Sequence, residues 1–312
     1  MSLAVSSPEA PSAAGGDDTR AGRDPRVRAL LRRAGLSSLA ESSRGRPDVS
    51  IALVDGPVQT SHPTLADADI VVLEPERRKP SAAASAHATF VASILVGGRG
   101  TVGLCQRCRL LSVPVVDGEM LAGGADAGEA SARLGEAVAA ARAGGAHVVL
   151  LGVELGGGPA ASFHGFRGAV EAAARDGVRT VVPAGHRAGP SVPALATPGV
   201  VPVALGDSQG LPHRAGTWGV ELGRRGLLAP GIDLPGALPG GRVGLRSGSS
   251  LAAALVAGAF ALLRSLFPQE SFDAVWEALL HPTGAAHRAL VPRSLDAERS
   301  AACLHPSSRR TP

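Results

Sequence analysis

Val49-Ser-Ile-Ala-Leu-Val-Asp-Gly56 reads as one short β-strand running directly into a turn. The run is apolar without alternation, which is what a strand covered on both faces requires. Asp55-Gly56 closes it with turn chemistry. The same kind of run recurs downstream. Ile70 to Leu73, Leu110 to Val116, Ala146 to Val153, Val178 to Ala184 and Val200 to Ala204 are all short, apolar and rich in valine and leucine. Helical stretches lie between them. His87 to Val96 has small and apolar residues, Glu129 to Ala143 ends at Gly144-Gly145, and Phe163 to Arg175 ends at Asp176-Gly177. Ser250 to Phe267 is a longer Ala-rich helix, and Ser271 to Leu280 is amphipathic with Ser271 as its cap. Strands alternating with helices of this length predict an α/β fold, a doubly wound parallel sheet with helices on both faces. In such sheets, sites form at the carboxyl ends of the strands, and Asp55 occupies one.

The chain divides into three by composition. Residues 1–45 are rich in Ala, Ser, Pro, Gly and charge and are expected to be disordered, apart from a short helix around Val27 to Leu39. Residues 46–285 carry the βα alternation. Residues 286–312 are expected to be a polar tail. With 312 residues, 45% of them hydrophobic, the chain can bury a large core, but there is no Tyr and there are only two Trp and six Phe. That composition suits helix-on-sheet packing more than an aromatic-lined barrel.

The net charge is +4, and the basic residues, nearly all arginine, are scattered. They form no basic stripe interleaved with aromatics, so nucleic acid is not an expected partner. No run reaches roughly 18 consecutive apolar residues, and no apolar segment near Met1 resembles a signal peptide, so no membrane partner is expected. Three cysteines, Cys105, Cys108 and Cys303, do not make a disulfide framework and suit the cytoplasm. No GxGxxG or GxxxxGK[ST] follows the first strand, which counts against a nucleotide-binding domain.

Three segments carry candidate chemistry: Val54-Asp55-Gly56, Ala86-His87-Ala88-Thr89-Phe90-Val91-Ala92, and Gly248-Ser249-Ser250-Leu251-Ala252. Each has an ordinary alternative. Asp-Gly makes turns, a histidine at a helix start serves as a cap or surface residue, and serine before an apolar helix is a common N-cap. Together they resemble the three catalytic segments of the subtilisin-like serine proteases, in that family's chain order Asp, His, Ser. The family's H-G-T-H-V-A and G-T-S-M-A-x-P segments are matched by the His87 and Ser250 stretches. Ala229-Pro230-Gly231 resembles its A-P-G turn, and Val182-Pro-Ala-Gly185 the strand before its oxyanion residue. The resemblance runs from about Asp48 to Leu280. Within the family, Val54-Asp-Gly-Pro-Val58 with Ser61-His-Pro63, Gly144-Gly-Ala-His147, and Leu227-Leu-Ala-Pro-Gly231 with Gly236-Ala-Leu-Pro-Gly-Gly241 look like the cyanobactin maturation proteases.

The resemblance implies a serine endopeptidase in which Ser250 attacks the scissile carbonyl, His87 moves the proton and Asp55 orients the imidazole. Of the three nearby serines, Ser250 keeps the G-x-S-x-A spacing and opens the helix. Its backbone N–H would face the oxyanion. The implied substrate is a peptide or ribosomally made precursor peptide, with no cofactor and no metal.

Several departures weaken the pattern. The family's oxyanion Asn is replaced by His186, and the chain holds no Asn at all. Ala88 stands for a glycine, and Ala254 for a proline. Ala254 relaxes a helix feature, whereas His186 and Ala88 motivate a second reading, a weak or inactive subtilase-like domain that binds a peptide or partner protein. Glu154, Leu155 and Gly156 fall where the family lays an edge strand beside the substrate. Glu154 there either favours a basic residue in the substrate or is a solvated edge charge. Cys105-Gln-Arg-Cys108 has metal or redox spacing but lacks a second ligand pair, so two ordinary thiols are expected. His62 and His147 are expected to serve packing.

Overall fold

The computed structural model describes residues 25–73, 81–118, 120, 126–155, 160–185, 189–190, 192–214, 216–282 and 290–305. At its centre is strand β1 (Ser50–Asp55), with every residue buried. β2 (Ile70–Val72) and β3 (Arg109–Pro114) lie on one side of it. β4 (Val148–Leu151), β5 (Arg179–Pro183), β7 (Val200–Gly206), β9 (Leu227–Pro230) and β12 (Arg293–Ser294) lie on the other. All the pairings in this eight-stranded sheet are parallel. From β1 the chain passes to the edge strand β2, returns to β3 beside β1, and then crosses to β4 on the other side of β1. The ends of β1 and β4 therefore flank the point where the winding changes direction, which is where open α/β sheets leave a crevice.

The side chains of β1 divide between two layers. Ile51 and Leu53 pack with α3 (Ala82–Val96) and α7 (Ser249–Leu266). Ala52 and Val54 pack with α4 (Ala127–Ala143) and α5 (His164–Arg175). This two-sided burial explains the unbroken apolar run in the sequence. α7 is alanine-rich because it lies against β4, β5, β7 and β9, and small side chains let its backbone approach them. A methyl on Gly258 would sit 2.7 Å from Leu104. α7 is also the one helix among the described residues long and apolar enough to cross a membrane; 89% of it is buried within this domain.

Two end segments are more ordered than composition implies. The short helix expected around Val27 to Leu39 is present as two, α1 (Pro25–Arg33) and α2 (Leu36–Ser42); residues 1–24 lie outside the described residues. Val27, Leu30 and Ala34 recur at helical spacing and are buried, as are Leu36 and Leu39, while Arg28, Arg32 and Arg33 point to solvent. Near the other end, the expected polar tail contains β12, which pairs with β9, and α9 (Ala297–Leu304), capped by Asp296. The two segments meet where Ala297 N–H donates to Ala34 O at 2.9 Å.

Three local readings also change. α3 begins at Ala82 behind the cap Ser81, so His87 sits in its second turn rather than opening it. Val153–Leu155 follow β4 without forming a strand. A hairpin of β10 (Leu234–Leu238) and β11 (Arg242–Arg246) leads into α7. Its glycines and proline hid it from propensity.

Leu36 is fully buried, so Leu36→Ala should cost about 2–5 kcal/mol in chemical denaturation. A loss under about 0.5 kcal/mol, the usual range for surface positions, would show that the segment is not docked.

Candidate active site

Asp55 ends β1, His87 projects from α3, and Ser250 lies in the first turn of α7. The structure brings these three together. His87 Nδ1 is 2.8 Å from Asp55 Oδ2, and His87 Nε2 is 3.0 Å from Ser250 Oγ. Asp55 is fully buried; its second oxygen, Oδ1, accepts the Gly56 N–H at 2.7 Å. Because Asp55 accepts at Nδ1, the proton sits there, and Nε2 is left free to accept from the serine hydroxyl.

Two glycines permit close approaches around Asp55, one for its carboxylate and one for α3. A methyl on Gly152, just past β4, would lie 1.9 Å from Asp55 Oδ2, and one on Gly56 would lie 2.5 Å from the Ala84 carbonyl oxygen. Sequence reasoning passed over Gly152, because a glycine after an apolar run has no distinctive signal of its own.

The turn that presents Ser250 is held from beneath. Gly248 N–H donates to Gly231 O at 2.8 Å, and Gly231 N–H donates to Gly206 O. The Ala229-Pro230-Gly231 segment thus tethers the nucleophile turn to the ends of β7 and β9. Leu251 and Ala252 N–H both reach back to Gly248 O, while Ser250 N–H makes no bond to the described residues. It is one of the unfilled donors of a helix N-terminus, where developing negative charge is stabilised.

Glu154 is not a solvated edge charge. It is half-buried and accepts a hydrogen bond from Ser249 Oγ, next to Ser250 in the chain, at 3.0 Å. A methyl on Gly185 at the end of β5 would lie 3.3 Å from its Oε2 and 2.9 Å from Thr217 Oγ1. Leu155 is buried. His186 and Gly156 lie outside the described residues. His62 is buried and structural: its Nδ1 accepts the Thr64 N–H, and Nε2 bonds Leu238 O at 3.0 Å. His147 accepts the Ser50 N–H and packs on Phe272. Cys105 and Cys108 are buried free thiols, and no metal-binding cluster occurs among the described residues.

The His87 pKa reflects opposing influences. Burial lowers it, but the charge of Asp55 and the hydrogen bond to it outweigh burial, so the net shift is upward; Arg246 opposes this weakly. His87 is therefore more basic than an ordinary imidazole.

A buried carboxylate, an oriented imidazole and a hydroxyl at a helix N-terminus form the arrangement of a Ser-His-Asp hydrolase site. The subtilase family model matches residues 46–294, and the chain belongs to that family. Among solved structures, the prenylagaramide maturation protease PagA is 28% identical with a TM-score of 0.74, the match covering 87% of this chain and 98% of PagA. The patellamide maturation protease PatA is 29% identical with a TM-score of 0.69, covering 83% and 98%. MycP3, a protease from the type VII (ESX-3) secretion system, shares the fold at 22% identity and a TM-score of 0.73, covering 92% and 90%. No curated protein matches the sequence significantly.

Two measurements follow from this geometry. In NMR titration, His87 should lose its proton above the ordinary value of about 6.5. Asp55→Asn removes both raising influences and leaves burial and Arg246, so the midpoint should fall below that value; an unmoved midpoint would contradict the pairing. Gly152→Ala should displace Asp55 and lower kcat by about 10²-fold, the typical cost of an ångström-scale misplacement.

Proposed function

We propose that Asp55, His87 and Ser250 form the catalytic triad of a serine endopeptidase that processes a ribosomally made peptide precursor. The unbroken hydrogen-bonded line from Asp55 Oδ2 through His87 to Ser250 Oγ carries this reading. Ser250 Oγ attacks the scissile carbonyl carbon as its proton passes to His87 Nε2. Asp55 holds Nδ1–H and stabilises the imidazolium. His87 then gives the proton to the departing amine, leaving an acyl-enzyme. Water adds by the same relay in reverse and releases Ser250. The Ser250 N–H supplies one oxyanion donor. We assign the second to an N–H of His186, which replaces the family's Asn as a donor type. Losing one such donor typically costs about 10²–10³ in kcat, so this assignment has a measurable consequence.

The precursor-peptide substrate is supported by similarity to PagA and PatA, both described as maturation proteases. The three free cysteines suit a reducing cytoplasm, where we place this activity. A second reading, a domain that binds a peptide without cutting it, is favoured by the absent Asn and by Ala88, whose methyl stands where the family has glycine.

One experiment separates them. The wild-type chain should be labelled by a fluorophosphonate and should hydrolyse peptides, and Ser250→Ala should abolish labelling and lower kcat by about 10⁶-fold. Peptide binding without labelling or cleavage by the wild type would favour the binding domain instead.

A further inference from the structure

Several half-buried arginines among the described residues reach acceptors. Arg133 pairs with Asp117, Arg179 with Asp273 and the Ala174 carbonyl, and Arg264 with the carbonyls of Phe267 and Pro268. Arg246 is also half-buried, at the end of β11 and four residues before Ser250, yet its guanidinium has no acceptor among the described residues. It sits over the ring of Phe90, 5.3 Å from the centroid. Phe90 lies three residues beyond His87 on α3 and is pinned by Gly236 of β10, where a methyl would come within 2.7 Å of the ring. The cation is thus held on an aromatic face beside the catalytic histidine, close enough for its charge to act on His87. Withdrawing an unpaired guanidinium from water costs free energy, and a ring face compensates only part of that. A planar fork of donors in this state is suited to a carboxylate, which it can grip at two points.

The direction of the chemistry identifies which part of a substrate passes it. His87 delivers its proton to the leaving amine, so the residues C-terminal to the scissile bond lie on the His87 side of Ser250. Glu154, Ser249 and Gly185 lie toward β4 and β5, on the opposite side. We propose that Arg246 binds a substrate carboxylate on the leaving-group side of the scissile bond and so directs where the chain is cut. This rests on the endopeptidase reading above. The carboxylate can belong to an acidic side chain or to the end of a short leaving peptide; both present the same group to the fork.

The test is a cleavage profile on a proteome-derived peptide library, read by mass spectrometry for the wild type and for Arg246→Gln, Arg246→Lys and Arg246→Glu. The wild type should favour Glu over Gln in the first three leaving-side positions by about tenfold, the scale of one charge-assisted bond. The preference should shrink in high salt. Arg246→Gln should flatten it, Arg246→Lys should retain part of it, and Arg246→Glu should turn it toward Lys and Arg. A parallel library with amidated C-termini separates the sources. Acidic preference that survives amidation identifies a side chain, and preference confined to free ends identifies the terminus. A flat wild-type profile overturns the inference even if every variant fails to fold, as does an acidic preference unchanged in Arg246→Glu. In both cases, cleavage and fluorophosphonate labelling of Ser250 would leave the endopeptidase reading standing. Absence of both in the wild type would remove that reading and this one together.

Discussion

The bond between Asp55 and His87 is the constraint to which the rest of the structure is fitted. It places a fully buried carboxylate at the end of the central strand, where an unmatched charge would be costly. The Gly56 amide and the imidazole satisfy its two oxygens. Satisfying them fixes the neighbours. β4 must run beside β1 in the register Val54 with Leu151, and the next residue, Gly152, must have no side chain. α3 must carry its histidine over the end of β1, and the β7 and β9 ends must raise Gly248 and Ser250 to meet it. The distances between Asp55, His87 and Ser250 express strand order as much as they do local sequence.

Much of this architecture is visible in the chain before any coordinates. The uniform apolar runs at Ser50–Asp55 and Val148–Leu151 announce strands buried on both faces, and the helices between them make the sheet parallel. Asp55, His87 and Ser250 stand out through their joint motif pattern. Singly, each has an ordinary explanation, and helix propensity does not mark His87, which sits within a helix rather than at its start.

Other features were hidden for reasons that are themselves physical. Gly152 matters only because a neighbouring strand brings Asp55 against it, a non-local fact that no window of sequence contains. Arg246 looks like any other scattered arginine until β11 lays it on Phe90. The helix around Val27 was legible, but its docking was not, because composition averages over the buried face of Val27 and Leu30 and the exposed arginines that the helix separates. The β10–β11 hairpin contains Pro235 and Gly236, residues that depress strand propensity, yet Gly236 is needed because Phe90 fills the space beside it.

The pairing of β12 with β9 has a temporal meaning. Leu295 N–H donates to Leu228 O, and α9 covers Leu36 and its neighbours from the far end of the chain. β9 runs into Pro230 and Gly231, whose carbonyl holds the turn of Ser250. During synthesis the outer edge of β9 therefore stays open until Arg293–Ser294 have emerged from the ribosome. A chain made as far as α7 already contains Asp55, His87 and Ser250, while the outer edge of β9, beneath the turn that presents Ser250, is covered only once Arg293–Ser294 have been added.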